Sequence, residues 1–525
     1  MSVTTEVAPP TSGDGVKPTR LSGKQMLLGW ALVIASMVMM CVLQREYGNL
    51  WPLAFVAVVP AIVAQYRFMP RKLSGLPLGL VWFGYWFPFL MLSEQIAPFP
   101  APLIVAVLFF LAGILVSAFD RKFNERTGFR YFLLTLPVTW VAWDVITSFN
   151  LIQGPEGQFA GAVAPFTLIL QPLSIVGRVG LTFLLVLINM AIALGIIWYL
   201  DKRREPVDSV RVDGPTARAA GITTAIITLV WFISAGWLFI DTTSGANGAP
   251  KTKVATVQIG PGDGYTADGA GTPTASLEPH LAAMTKQAAA QGAEFAVWGE
   301  DILHYDPRTD PRKFVQNVAK ENKIYIQTGF TVGQPDPAAS NLTGLWDPNG
   351  DLVGVYYKIH PVILDNEEFV QPHRYPVFDV SFGTVGMLIC FDFSFEDTSR
   401  YLVQNGAQML SASVADWTNF GSTRIQTTQI RAAENRVSFV KGEQYNASAL
   451  IEPTGAVLAD ADMGPDGGEK LLVGELPMGP RGALYTSWGP IFGYLCVVGV
   501  LVRIWIQIRL RIKQGKEIPG RGAPA

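Results

Sequence analysis

Three side chains of this chain, Glu300, Lys358 and Cys390, are of types that together can attack a carbonyl carbon. A free thiol has a pKa of about 8.5 and is only slightly ionised at neutral pH. It needs a base or a positive neighbour before it reacts quickly with an ester or amide. The sequence places both in one kind of setting. The apolar run 295–298 ends in Gly299-Glu300, the run 352–357 ends in Lys358, and the run 384–389 ends in Cys390. Active sites of α/β sheets gather at such strand ends. The residues just after Cys390 also offer backbone N–H groups to an oxyanion. Taken singly, each has an ordinary reading as a turn acid, a surface lysine or a packed cysteine. The ordered set is the signal.

The elements needed to position these residues can be read over 251–480. Runs at 254–259, 295–298, 324–331, 342–346, 352–357, 377–380, 384–389, 409–412, 438–441, 447–451 and 471–475 are strand-like. Helices are predicted over 277–291, 311–321, 398–405 and 424–434, the first with Leu277, Leu281, Met284 and Ala288 on one face. Strands alternating with helices and broken by hairpins such as Asp347-Pro-Asn-Gly350 predict an α/β sandwich. Gly260-Pro-Gly262-Asp-Gly264 lacks the Lys-Ser/Thr of a phosphate loop, so nucleotide binding is not expected.

The rest of the chain is different. Half of the 525 residues are hydrophobic and 16% are charged, with a net charge of −2. That balance gives no nucleic-acid footprint. Three cysteines without pairing or ligand spacing predict neither a disulfide framework nor a metal site, and no cofactor motif is present. Apolar runs at 26–43, 51–66, 76–93, 100–119, 131–147, 178–200, 219–240 and 485–507 predict about eight membrane spans. The run 51–66 is the shortest and has Pro52 and Pro60 near its ends. Basic segments (Lys17, Arg20 and Lys24; Arg67, Arg71 and Lys72; Arg121 to Arg130; Lys202 to Arg218; Arg509 to Arg521) alternate with segments poor in Lys and Arg. The connection 148–177 reads as a long loop with Glu156 and no Lys or Arg. This alternation predicts both termini in the cytoplasm and residues 245–480 outside it. Asp144 is the one acid within a span, as a functional group or as one reaching the interface. The predicted organisation is a tail (1–25), a seven-helix membrane domain (26–245), an α/β domain (246–482), a last span (483–508) and a basic tail (509–525).

Several segments resemble the carbon–nitrogen hydrolase (nitrilase) superfamily. Phe295-Ala-Val-Trp-Gly-Glu300, Tyr356-Tyr-Lys-Ile-His360 and Leu388-Ile-Cys-Phe-Asp392 are similar to its Glu, Lys and Cys motifs. Ala415-Asp-Trp-Thr-Asn-Phe-Gly421, Arg431-Ala-Ala-Glu-Asn-Arg436 and Glu452-Pro-Thr-Gly455 resemble later segments. The order of spans, α/β domain and last span resembles the branch fused to a transmembrane bundle, whose members acylate lipoproteins. The sequence departs from the pattern at Gly299 for a usual Pro and at Asp392 for a usual Glu. It also lacks a Phe-Pro-Trp element near residue 150.

The resemblance implies an α-β-β-α sandwich and a membrane N-acyltransferase of the bacterial inner membrane that needs no cofactor. Cys390 would be the nucleophile and Glu300 the general base, with Lys358 and the Phe391 N–H on the oxyanion. Glu368, with Glu367 as its rival, and Asp392 would support the site, and Trp417 would be a lid or acyl contact. A phospholipid would donate a fatty acyl chain to the thiol. The N-terminal amine of a lipidated lipoprotein would accept it. A membrane-anchored amidase or nitrilase, an acyltransferase to another membrane amine, and a non-catalytic lipid- or partner-binding protein are the alternatives.

Overall fold

The computed structural model describes residues 21–44, 50–93, 97–149, 154–207, 209–259, 277–332, 340–363, 374–416, 421–462 and 469–516. Among them, seven helices are long and apolar enough to cross a membrane: Gly23–Gln44, the broken Trp51–Phe68, Arg71–Leu90, Ala101–Arg126, Arg178–Arg203, Gly214–Gly248 and Ile491–Ile512. Phe132–Ser148, read from sequence as a further span, is a shorter helix of 17 residues. The run 485–507 divides at Gly489-Pro490, leaving Leu484–Trp488 as a separate short helix. Leucine, valine and isoleucine side chains face outward along several of these helices, which is costly in water and ordinary against lipid. Small residues let helices meet closely. A Cβ at Gly113 would come within 2.8 Å of Gly79 on the neighbouring helix.

The α/β domain is two six-stranded sheets. Its strands are β1 (Lys251–Ile259), β2 (Phe295–Trp298), β3 (Tyr325–Val332), β4 (Ser340–Trp346), β5 (Leu352–Tyr357), β6 (Val377–Val380), β7 (Gly383–Ile389), β8 (Met409–Val414), β9 (Ser438–Glu443), β10 (Ala447–Ile451), β11 (Val457–Asp462) and β12 (Glu469–Pro477). The sheet orders are β12-β1-β2-β3-β4-β5 and β11-β10-β9-β8-β7-β6. Within each sheet the central strands run parallel, β1-β2-β3 in one and β7-β8-β9 in the other. Their inner faces share a core that includes Val254, Phe295, Val297, Leu345, Met387, Leu410 and Val440. Helices Leu277–Ala290 and Phe314–Asn322 cover the first sheet, and Glu396–Gln404 and Gly421–Asn435 cover the second. The α-β-β-α expectation therefore holds. The strand 457–462 is an addition to the sequence reading.

The connection after Phe132–Ser148 is not a loose loop. Phe159–Val163 forms a 3-10 turn, and Thr167–Leu170 and Leu173–Val176 form two short helices. They lean on the α/β domain, where Gln171 Nε2 donates to the Thr454 carbonyl at 2.8 Å. Gly and Pro at 154–155 and 157 hide this order from periodicity, because tertiary contacts rather than amphipathic repeats hold it. The site described next lies at this junction.

Candidate active site

The parallel strands of both sheets deliver their C-terminal ends to one place. β2 ends immediately before Gly299-Glu300, β7 immediately before Cys390, β8 immediately before Ala415-Asp416, and β5 immediately before Lys358. Glu300, Lys358 and Cys390, the three residues expected from sequence, are all buried. Lys358 Nζ lies 2.8 Å from Glu300 Oε1. Asn341 Nδ2 donates to the same oxygen at 2.7 Å, and the Ala415 N–H donates to Glu300 Oε2 at 3.2 Å. The Glu300 N–H in turn donates to the Val414 carbonyl at 3.2 Å, so the carboxylate is tied to both sheets. Gly299 makes this approach possible, since a Cβ there would lie 2.8 Å from Gln444 Cβ.

Cys390 has φ of +40°, a conformation that non-glycine residues rarely adopt. It opens the 3-10 turn Cys390–Ser394. The Asp392 carboxylate organises this turn. It accepts N–H bonds from Ile389 (3.2 Å), Ile359 (3.0 Å) and His360 (2.8 Å), and the Tyr356 hydroxyl at 2.9 Å. Asp392 thus joins the strand that carries Lys358 to the turn that carries the thiol. Phe391 is buried against Phe395 and Val362, with ring centroids of the two Phe residues 5.1 Å apart. Glu367, Glu368 and Trp417 lie outside the described residues. Asp144 is buried within the protein, and Gln158 Nε2 donates to its backbone carbonyl at 3.2 Å.

A second group of charges, which the sequence did not single out, touches the sulfur directly. Cys390 Sγ is 3.6 Å from Asp416 Oδ1, and Arg424 Nη2 is 3.7 Å from the sulfur. Arg424 Nε donates to Asp416 Oδ1 at 2.9 Å, and its Nη1 donates to Glu156 and Ser394. Glu156 belongs to the connection 148–177, and Thr427 Oγ1 donates to it at 3.2 Å. Lys441 Nζ pairs with Asp416 at 3.0 Å and with Glu443 at 2.5 Å. Burial pushes the Cys390 thiol well above its ordinary value, and Glu300 and Asp416 push the same way. Lys358 and Arg424 oppose them. Burial would also raise the Asp416 carboxyl, but Arg424 and Lys441 beside it hold it below its ordinary value. Two carboxylates that disfavour the thiolate and two cations that favour it thus act on one sulfur. Among the described residues no cluster of His, Cys, Asp and Glu is arranged to hold a metal ion.

Residues 35–191 match the family model described as apolipoprotein N-acyltransferase N-terminal domain, and residues 253–484 match that of the carbon–nitrogen hydrolases. An apolipoprotein N-acyltransferase of Geobacter metallireducens is 25% identical over 490 residues, which cover 86% of this chain and 90% of that one. One from Chlorobaculum tepidum is 21% identical over 518 residues, covering 87% and 92%. A solved amidase from Nesterenkonia sp. aligns with 46% of this chain and 98% of its own at 18% identity, with a TM-score of 0.38.

Proposed function

We propose that this chain, which belongs to the apolipoprotein N-acyltransferase family within the carbon–nitrogen hydrolases, moves a fatty acyl chain from a phospholipid through a thioester on Cys390 to the N-terminal amine of a lipidated lipoprotein. It is a membrane protein. The alternation of basic and non-basic segments supports the bacterial inner membrane with the α/β domain on the extracytoplasmic side.

The observation that carries the reading is the buried Glu300–Lys358 pair, set at strand ends beside a buried thiol where the α/β domain meets the membrane bundle. In the first half-reaction Glu300 takes the Cys390 proton as the sulfur attacks the ester carbonyl carbon. Lys358 and the Phe391 N–H stabilise the resulting oxyanion. The ester C–O bond then breaks, and the lysophospholipid oxygen leaves with the proton from Glu300. In the second half-reaction the amine nitrogen attacks the thioester carbonyl and Glu300 takes a proton from it. The C–S bond breaks and that proton returns to the sulfur. Lys358 holds the Glu300 carboxylate in place and needs no proton transfer of its own. A bundle suits substrates that both sit in the bilayer, because neither has to be extracted to reach the sulfur.

The test is acyl transfer from phospholipid to a diacylated cysteinyl peptide, comparing the wild-type chain with Cys390→Ser. The expected result is an acyl adduct on Cys390, seen by intact-protein mass, that is passed to the peptide and is absent from Cys390→Ser. Peptide acylation that persists in Cys390→Ser, or an adduct that water alone removes while the peptide stays unmodified, overturns the reading.

A further inference from the structure

Arg424 is buried in the α/β domain, 34 residues along the chain from the sulfur it touches. Its guanidinium carbon lies over the Phe393 ring, 4.0 Å from the centroid, a contact that helps hold the group in place. Nε is taken by Asp416 and Nη1 by Glu156 and Ser394, while Nη2 lies 3.7 Å from Cys390 Sγ. A purely structural ion pair would be satisfied by the carboxylates and has no need of the sulfur. The contacts use separate N–H groups around the edge of one planar fork, which a lysine cannot do.

We propose that Arg424 is a further catalytic residue of this site, a second cation on the reacting sulfur opposite Lys358, and that Glu156 is the positioning residue through which the membrane bundle holds it there. The proposal rests on the reading of Cys390 as the nucleophile. In the resting state Asp416, 3.6 Å from the sulfur, accepts the S–H. With Arg424 and Lys441 on it, Asp416 is a poor proton acceptor in the chemical sense, so the proton leaves to Glu300. The thiolate formed then sits between Lys358 and Arg424. Because Glu156 comes from the connection 148–177, the electrostatic state of the sulfur depends on how the bundle is docked. The charged groups around the sulfur are Glu300 and Lys358 just past strands of the first sheet, Asp416 just past β8 of the second, and Arg424 on the helix Gly421–Asn435 that covers it. Behind these stand Glu156 on Arg424, Lys441 and Glu443 on Asp416, and Asp392 with His360 beneath the turn.

The experiment follows alkylation of Cys390 by iodoacetamide from pH 6 to 10 in the full chain in detergent. It is read on the Cys390 peptide by mass spectrometry so that Cys41 and Cys496 do not contribute. Loss of a cation favours the neutral thiol. Arg424→Gln is therefore expected to move the midpoint up by about one unit and to slow alkylation at pH 7 about tenfold. Arg424→Lys restores part of the rate. Glu156→Gln removes a carboxylate that neutralises Arg424, so its midpoint moves down and alkylation at pH 7 rises about threefold. The double variant Glu156→Gln with Arg424→Gln keeps the number of buried opposite charges balanced and still shows the upward shift.

If Arg424→Gln does not yield folded protein, the double variant and Arg424→Lys decide. A midpoint in the double variant within about 0.3 units of wild type overturns the proposal. The acyl-transfer reading is judged separately on the wild-type chain. A Cys390 thioester from phospholipid together with an unshifted profile sinks only the role of Arg424. A shifted profile with no thioester sinks only the acyl-transfer reading.

Discussion

On one side of the Cys390 sulfur, Glu300 and Lys358 form a 2.8 Å pair, and the Asn341 and Ala415 groups that donate to Glu300 also belong to the α/β domain. On the other side, Arg424 ties Asp416 of the α/β domain to Glu156 of the bundle connection, a residue 268 positions away. The first flank is complete once the two sheets have packed. The second exists only when the bundle is seated on the domain. Both place a cation near the sulfur, but only one of them reports on the membrane part of the molecule. A buried charge left without its partner costs several kcal/mol, so each flank also holds its own elements in register.

The sharpest way to break this comparison is to remove the base while leaving the pair's shape. Glu300→Gln keeps an acceptor for Asn341 and Lys358 but cannot take a proton. Thioester formation on Cys390 is expected to fall by about 10²–10⁴, and the thermal unfolding midpoint falls as well, because the buried Lys358 ammonium loses its carboxylate. A fall of less than tenfold in the initial rate of adduct formation would transfer the role of base to the other flank, where Asp416 already accepts the S–H.

The first flank was legible in the sequence and the second was not, for a physical reason. Glu300, Lys358 and Cys390 each terminate a short apolar run, and such runs end where strands end. A reader who can find the strands can find the residues at their edges. Asp416 and Arg424 stand on either side of a polar stretch in which charge looks like solvation. Glu156 stands in a segment of Gly and Pro with no period. Nothing local says that these three meet. The one signal was compositional, since Glu156 is the sole charged residue of 148–177. A lone charge in an otherwise uncharged connection of a membrane protein asks for a partner. The α/β sandwich followed from strand and helix alternation, and its α-β-β-α layering from the resemblance of the Glu, Lys and Cys segments to the carbon–nitrogen hydrolases. The packing of the connection against the domain did not, because it depends on contacts such as Gln171 with Thr454.

The second flank is sharpened by its neighbour Arg178, which begins a bundle helix. Its guanidinium donates to Glu396 and to the Pro155 carbonyl, each at 2.8 Å, and its N–H donates to Glu434 at 2.8 Å. Arg178→Gln strands Glu396 beside Tyr485 in a buried site. A loss of about 3–5 kcal/mol is expected in the stability of the docked state. Limited proteolysis should then cut the connection 148–177 faster than in wild type. Unchanged cleavage would mean that Arg178 does not hold the junction.

Within the first flank, Asp392→Asn replaces one of two oxygens that together take three backbone N–H groups and the Tyr356 hydroxyl. The amide N–H₂ faces donors on one side, so a destabilisation of about 2 kcal/mol is expected in denaturant unfolding of the full chain. The rate of Cys390 alkylation should change less than in Arg424→Gln, because the charges in contact with the sulfur stay in place.

The smallest effect is expected where bundle and domain meet in the open. Arg436 pairs with Asp241 near the end of the Gly214–Gly248 helix, and its Nε donates to Thr242 Oγ1 at 3.0 Å. This contact also joins the two parts of the molecule, so counting bridges would rank it beside Arg178 and Arg424. Exposure says otherwise. Asp241 has 48% of its side-chain surface in solvent, and water can replace the lost partner. Arg436→Gln should therefore cost less than about 1 kcal/mol and leave both the proteolysis pattern and the alkylation profile unchanged. If Arg436→Gln loosened the connection as much as Arg178→Gln does, docking would be a property of the whole interface, and the buried charges beside the sulfur would lose their claim to control it.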